Sequence, residues 1–250
     1  MKERTKSTMA LPTQKTPPKS DFRDMLTLLY GLPGAGKSTL LSNADGALFM
    51  ATEPGLNSLE VFQQPITSWR DFNNTACDIL EGGHDYRSII IDTADNAVKF
   101  CSEFICEQWK IKHPSDLPMG KGWSLITNEF MRVINSLALG GYGVYLVSHA
   151  KTEEIKTRTG TYTRTVPTLS GKSGEGIVGL VDMIFFMDSD ETEGSEGAVI
   201  PQTVLRTKPS QYYVAKDRTG RLPDPFVIEY LSGPEDWKNL CKAFNPFYAE

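Results

Sequence analysis

The sequence predicts an α/β fold: a mainly parallel sheet flanked by helices, with an antiparallel hairpin at the C-terminal side. Three observations carry this. Apolar runs without polar alternation recur at 25–30, 88–92, 143–148 and 183–187, as expected of strands covered on both faces. Stretches of helical periodicity separate them, and parallel strands need such crossovers. After residue 198 the pattern changes to two short strand-like runs, 199–206 and 212–216, close enough to pair antiparallel.

Taken in chain order, residues 1–20 are rich in Lys, Thr and Pro and carry Lys2, Arg4, Lys6, Lys15 and Lys19 against the single acid Glu3. With few apolar side chains to offset the entropy of ordering, a flexible basic arm is expected there. The chain has 250 residues and is 40% hydrophobic, so residues 21–250 are expected to form one domain with one substantial core. The strand at 25–30 runs into Gly31-Leu32-Pro33-Gly34-Ala35-Gly36-Lys37-Ser38-Thr39. This run fits the P-loop pattern G-x-x-x-x-G-K-[ST] at every specified position, and a helix opens at 38–43. The glycines let successive backbone N–H groups turn inward around an anion, beside a helix N-terminus. Lys37 would neutralise phosphates as a point charge, and the Ser38 hydroxyl would hold Mg²⁺. ATP and Mg²⁺ are therefore the expected ligands of residues 31–39. The bland alternative is a Gly-rich turn closed by an exposed lysine.

A strand is expected at 47–52 and a helix at 68–80. Glu53 follows the strand directly and is held in a turn by Pro54-Gly55, where a carboxylate can reach the water that attacks a γ-phosphate. The alternative is a solvent-exposed turn residue. The strand at 88–92 ends in Asp92, matching the Walker B arrangement: a carboxylate at the tip of a neighbouring parallel strand, beside the P-loop, able to hold Mg²⁺. Helices follow at 96–110 and 123–139, then the strand at 143–148 and the strand at 183–187. Residues 188–197, acidic and containing Gly and Ser, read as a solvated turn.

Composition narrows the function classes. Net charge is −5, so the surface as a whole does not advertise nucleic acid, although a local basic patch still can. Cys77, Cys101, Cys106 and Cys241 lack the C-x-x-C spacing of a zinc site, and Cys101 and Cys106, which lie in a helical pattern, are expected to be packing residues rather than ligands. There is no apolar segment of signal-peptide or membrane-spanning length, and a cytoplasmic setting with no membrane partner is the expectation.

Taken together, the order of these motifs resembles the RecA/DnaB-type ATPase core, over roughly residues 24–230. The resemblance implies a RecA-like P-loop NTPase fold, with Glu53 as catalytic base beside Lys37. Asp92-Thr93 would be the Walker B strand end, and Ser148-His149 the polar sensor ending a later strand. Lys216-Asp217-Arg218-Thr219-Gly220 has the family's Lys-x-Arg form, so Lys216 and Arg218 would reach ATP on the neighbouring subunit of a homo-oligomeric ring or filament. Without the large terminal additions of bacterial RecA or a primase-binding domain, the chain resembles compact phage RecA-like proteins assigned to single-strand annealing and recombination. That implies a phage-encoded ATPase acting on single-stranded DNA in the host cytoplasm, with a single-strand-binding protein as a further partner.

Two segments occupy the positions of the family's DNA-binding loops. The first is 113–122, with Lys121 and a Met-Gly step before a helix. The second is the Thr-rich stretch 151–176, where Lys156, Arg158, Arg164 and Lys172 suit phosphate contacts and Tyr162 suits base stacking. The alternative for the second is an ordinary solvated β-hairpin over 154–166, turning at Gly160. Two rival functions stay open: a small-molecule or nucleoside kinase with Arg158 and Arg164 in a lid, and a switch that binds ATP without turnover.

Overall fold

Sheet formation follows the apolar runs in the computed structural model, which describes residues 13–158, 160–169, 172–193, 199–229, 233–245 and 247. The strands are β1 (Leu26–Gly31), β2 (Ala47–Ala51), β3 (Phe62–Pro65), β4 (Ser88–Asp92), β5 (Gly143–Lys156), β6 (Thr161–Pro167) and β7 (Met183–Glu193), then β8 (Val199–Arg206), β9 (Lys216–Asp217) and β10 (Phe226–Ile228). Strands β3-β2-β4-β5-β1-β7 lie side by side in that order and run parallel. Beyond β7 the sheet turns antiparallel through β8 and β10.

Each central strand divides its side chains between two cores, which is why its sequence shows no polar alternation. Leu28 and Tyr30, Ile89 and Ile91, and Val144 and Leu146 point to one face. Leu29, Ile90, Tyr145 and Val147 point to the other. The second face is covered by α1 (Lys37–Leu41). The first is covered by α2 (Trp69–Glu81), α3 (Ala94–Trp109), α4 (Lys121–Leu139) and α5 (Lys172–Leu180); α6 (Pro234–Phe244) joins α1 on the second. Ile89, Ile90 and Ile91 are fully buried, each contributing about 1.5–3 kcal/mol of transfer free energy. Cys101 is buried among the packing residues of α3, as expected. No helix of the described residues is long and apolar enough to cross a membrane.

Several elements differ from the sequence expectation. The run at 212–216 is not the partner of β8; β7 and β10 are, and of that run only Lys216 joins a strand, β9, against the start of β7. Tyr213 instead bridges to Thr165. Residues 188–193 continue β7, because β8 supplies an antiparallel partner for them, and the rest of the expected acidic turn, 194–198, lies outside the described residues. β5 likewise runs past residue 148 into a hairpin with β6, with Lys156 opposite Thr161, so the plain hairpin alternative describes the shape of this segment. Residues 13–20 are exposed and form neither helix nor strand, while Lys2, Arg4 and Lys6 of the expected arm lie outside the described residues.

Candidate functional site

The P-loop joins β1 to α1 as its motif requires. Gly34 and Gly36 have φ of 78° and 98°, values that L-residues with a Cβ rarely adopt. Gly31 has a different reason to be glycine: a Cβ there would come within 2.6 Å of the Met187 carbonyl oxygen on β7. α1 is only five residues long, so the loop's own N–H groups, not an extended macrodipole, supply most of the attraction for an anion. Lys37 is 7% exposed, and its ammonium donates to the Gly31 and Leu32 carbonyls at 3.1 and 2.9 Å. Burial lowers its pKa, opposed by the charges of Asp92, Asp95 and Glu53. A buried cation satisfied by main-chain oxygens rather than a carboxylate is free to turn toward an anionic ligand.

Facing the loop is a cleft of about 340 Å³ lined by Lys37, Ser38, Glu53, Asp92 and His149, among others. Ser38 Oγ donates to Asp92 Oδ2 at 2.6 Å. This contact spans two strands: β4 is not the immediate neighbour of β1, as Walker B reasoning expected, because β5 lies between them. Burial pushes the Asp92 carboxyl above the ordinary carboxylate range, and Glu53 adds to this, against the Ser38 hydrogen bond and Lys37. A carboxylate at this depth, bonded to the P-loop serine, is the donor set a divalent cation requires, so the residues fit Mg²⁺. The peptide after Asp92 is cis, and the Thr52 hydroxyl brackets Thr93 by accepting from its N–H at 2.8 Å and donating to its carbonyl at 2.9 Å.

Glu53 leaves the end of β2 on the same side. Its Oε2 accepts from Asn96 Nδ2 at 3.3 Å, and its Oε1 lies 3.7 Å from His149 Nε2. The two residues expected as sensors part ways. His149 lines the cleft, and its Nδ1 is buried with no hydrogen-bond partner among the described residues. Ser148 is fully buried, and its hydroxyl turns away to Asp95 Oδ1 at 3.1 Å. Asp95, Asn96 and Thr168 are the residues that sequence reading missed. Asp95 resembles any first-turn helix acid, and its partners come from residues far along the chain.

The other expected site residues lie elsewhere. Lys216 and Arg218 leave one face of the chain together, but both end on α5 of the same chain. Lys216 Nζ donates to the Gly179 carbonyl at 3.2 Å, and Arg218 pairs with Asp182 at 3.3 Å and donates to Gly179. Lys121 stands 4.5 Å over the Trp109 ring. Its loop is not an unstructured basic segment: two 3₁₀ turns, Pro114–Asp116 and Pro118–Gly120, order it, the first held by reciprocal capping between His113 and Asp116. Lys156 and Arg158 are exposed at the far end of the β5–β6 hairpin. Tyr162 and Arg164 project from the opposite hairpin face to Lys156, because the register pairs Lys156 with Thr161 and Tyr162 with Ile155. Lys172 opens α5.

Two comparisons with known proteins bear on this site. A family model described as an AAA domain (AAA_24) matches residues 23–219, from the turn before β1 to just past β9. The SPbeta prophage-derived uncharacterized protein YorG of Bacillus subtilis (strain 168) is 29% identical over 128 residues, which is 49% of this chain. The match takes in 40% of YorG, so the chain spans about two fifths of that relative's length.

Proposed function

Because the chain belongs to the AAA domain family, and is accordingly a P-loop ATPase, we propose that it is a RecA-like enzyme. In this reading it hydrolyses ATP while bound to single-stranded DNA, as a homo-oligomer serving recombination or annealing. The observation that carries the hydrolytic part is the convergence of residues from three strands on one cleft. Glu53 after β2, Asp92 at the end of β4 and His149 on β5 all face Lys37 and Ser38 of the P-loop. A site that only held nucleotide would need the loop and the metal ligands. Glu53 adds a carboxylate placed to take a proton from an attacking water. Mg²⁺, when bound, supplies charge neutralisation across the phosphates; Ser38 and Asp92 would hold it, and Lys37 would move from the Gly31 and Leu32 carbonyls to a phosphate oxygen.

The DNA part rests on the motif resemblance and on the hairpin. It begins one residue past His149 and carries Arg158 and Tyr162 away from the sheet. The prophage-derived name of YorG agrees with a phage setting, where a single-strand-binding protein is the natural further partner. The test is ATP turnover with and without single-stranded DNA, with Lys37→Ala as the site control. We expect DNA to raise turnover and Lys37→Ala to abolish it. Turnover indifferent to DNA would remove the DNA assignment. Phosphate appearing on a small-molecule acceptor instead of in solution would make the protein a kinase.

A further inference from the structure

We propose that Asp95 is a positioning residue that clamps both feet of the β5–β6 hairpin to the first turn of α3, so that nucleotide in the cleft sets the conformation of the hairpin. The inference rests on the ATP site proposed above and concerns how that site reports to the rest of the chain.

A first-turn acid usually bonds to N–H groups of its own helix. Asp95 reaches outward instead. Its Oδ1 accepts from Ser148 Oγ at 3.1 Å and from Thr168 Oγ1, and its Oδ2 accepts from the His149 N–H at 3.3 Å. Those three donors stand where the hairpin leaves the sheet. His149 is the last β5 residue paired with β1, opposite Gly31, and the next residue, Ala150, already pairs with Pro167 of β6. Thr168 follows β6 directly, and its N–H donates to the His149 carbonyl at 2.8 Å, closing the hairpin at its base. One carboxylate therefore holds the outgoing and the returning strand, through charge-assisted bonds in a partly buried setting where such bonds are strong.

The same turn of α3 touches the reaction site. Asn96, the next residue, donates to Glu53, and Asp92 ends the strand from which α3 departs. The side chain of His149, whose main chain Asp95 holds, lies 3.7 Å from Glu53. A ligand that repositions Glu53, Asp92 or His149 thus acts on the unit that grips the hairpin. The hairpin main chain is also held at Thr165, whose N–H donates to the Tyr212 carbonyl at 2.7 Å and whose carbonyl accepts from the Tyr30 hydroxyl at 3.3 Å, and neither partner lines the cleft. A continuous bonded path with a ligand site at one end and a projecting element at the other is the physical requirement for coupling.

Thr168 tests this without disturbing the cleft. Valine keeps its shape and removes the hydroxyl; serine keeps the hydroxyl. Hydrogen exchange of the amides at 151–167 is measured in the full chain with and without Mg²⁺ and a non-hydrolysable ATP analogue, and affinity for that analogue is measured alongside. In the parent, nucleotide should change hairpin exchange by about five-fold or more, the lower end of ordinary coupling free energies. Thr168→Val should bind the analogue within about two-fold of the parent, a margin too small to be coupling, yet lose the exchange response, and Thr168→Ser should keep it. A merely structural threonine would alter exchange equally with and without nucleotide. The inference is overturned if nucleotide binds the parent without changing hairpin exchange, if Thr168→Val responds as the parent does, or if Thr168→Ser fails to respond. Failure of the parent to bind the analogue is a separate result and overturns the ATP site itself.

Discussion

Asp92 carries two opposed demands. Buried at 5% exposure, its charge is disfavoured by desolvation and by Glu53 nearby, and these outweigh the Ser38 hydrogen bond and the attraction of Lys37. A carboxyl whose pKa is raised on folding costs stability wherever it is ionised in both states, and costs none once pH falls below its ordinary value of 3.8. Asp92→Asn should therefore raise the melting temperature of the metal-free, nucleotide-free protein at neutral pH. That gain should shrink as pH falls toward 3.8. The same variant should weaken Mg²⁺-dependent nucleotide binding, since the cation loses its one buried anionic ligand. Melting curves of parent and variant across that pH range, with a Mg²⁺ titration of nucleotide affinity, check both halves. A lower melting temperature for the variant would mean that the Ser38 hydrogen bond and the charge of Lys37 outweigh burial. The P-loop was legible at this scale because its chemistry is local: nine consecutive residues specify turn, cation and hydroxyl. Glu53 and Asp92 were legible because strand ends lie at the same edge of a parallel sheet. Asp95 and Thr168 were not, because a carboxylate with donors from 148, 149 and 168 leaves no local pattern.

At the scale of elements, the β5–β6 hairpin sorts its side chains by alternation. One face shows Lys151, Glu153 and Ile155 with Tyr162 and Arg164; the other shows Thr152, Glu154 and Lys156 with Thr161, Thr163 and Thr165. A single DNA strand lying on one face cannot use both sets. The first face also carries the edge contact of Tyr162 with Tyr212, ring centroids 6.2 Å apart, and Tyr212 is 56% exposed. In the proposed single-strand complex, two aromatic rings and the exposed Arg158 at the tip would make it the face for stacked bases. Tyr162→Ala should weaken single-strand binding by about 1–3 kcal/mol, and Arg158→Ala should weaken it and flatten its salt dependence. Lys156→Ala should stay near the parent. Fluorescence anisotropy of a labelled oligonucleotide over a salt series reads all three, and a loss at Lys156 equal to that at Tyr162 would put the strand on the threonine face. The sequence grouped these basic residues together because their spacing looks continuous, and only the strand register separates them. Elements with strong apolar runs, such as β4, matched their expected bounds. α5 was missed because Gly174, Gly176 and Gly179 lower its helix propensity, and β3 because Gln63, Gln64 and Pro65 on an exposed edge carry no apolar signal.

Over the whole molecule, the parallel sheet has two ends, and Lys216 and Arg218 stand at the one remote from the P-loop. Lys216 pairs with Ile184 and Asp217 with Met183, near the start of β7, whereas the P-loop leaves β1 at Gly31, level with Met187. Three residues of extended chain separate those levels by roughly 10 Å, and the cleft lies beyond. Neither side chain is placed to serve its own subunit's nucleotide. A role in hydrolysis therefore requires a head-to-tail neighbour, the contact that builds rings and filaments. In the subunit itself both cations rest on the end of α5, and burial together with the adjacent Arg218 lowers the pKa of Lys216. Those contacts are few and partly exposed, of the kind whose net worth is small, so their exchange for a phosphate on a neighbour is energetically open. Arg218→Ala subunits and Glu53→Gln subunits should each be inactive alone, the second through loss of a base worth about 10²–10⁴-fold. Mixed, they should recover part of the ATPase activity at interfaces that join an intact Glu53 to an intact Arg218. A mixture that assembles, as sedimentation would show, yet gains nothing rules out action in trans. Parental activity in Arg218→Ala alone would leave the pair as a clasp on α5.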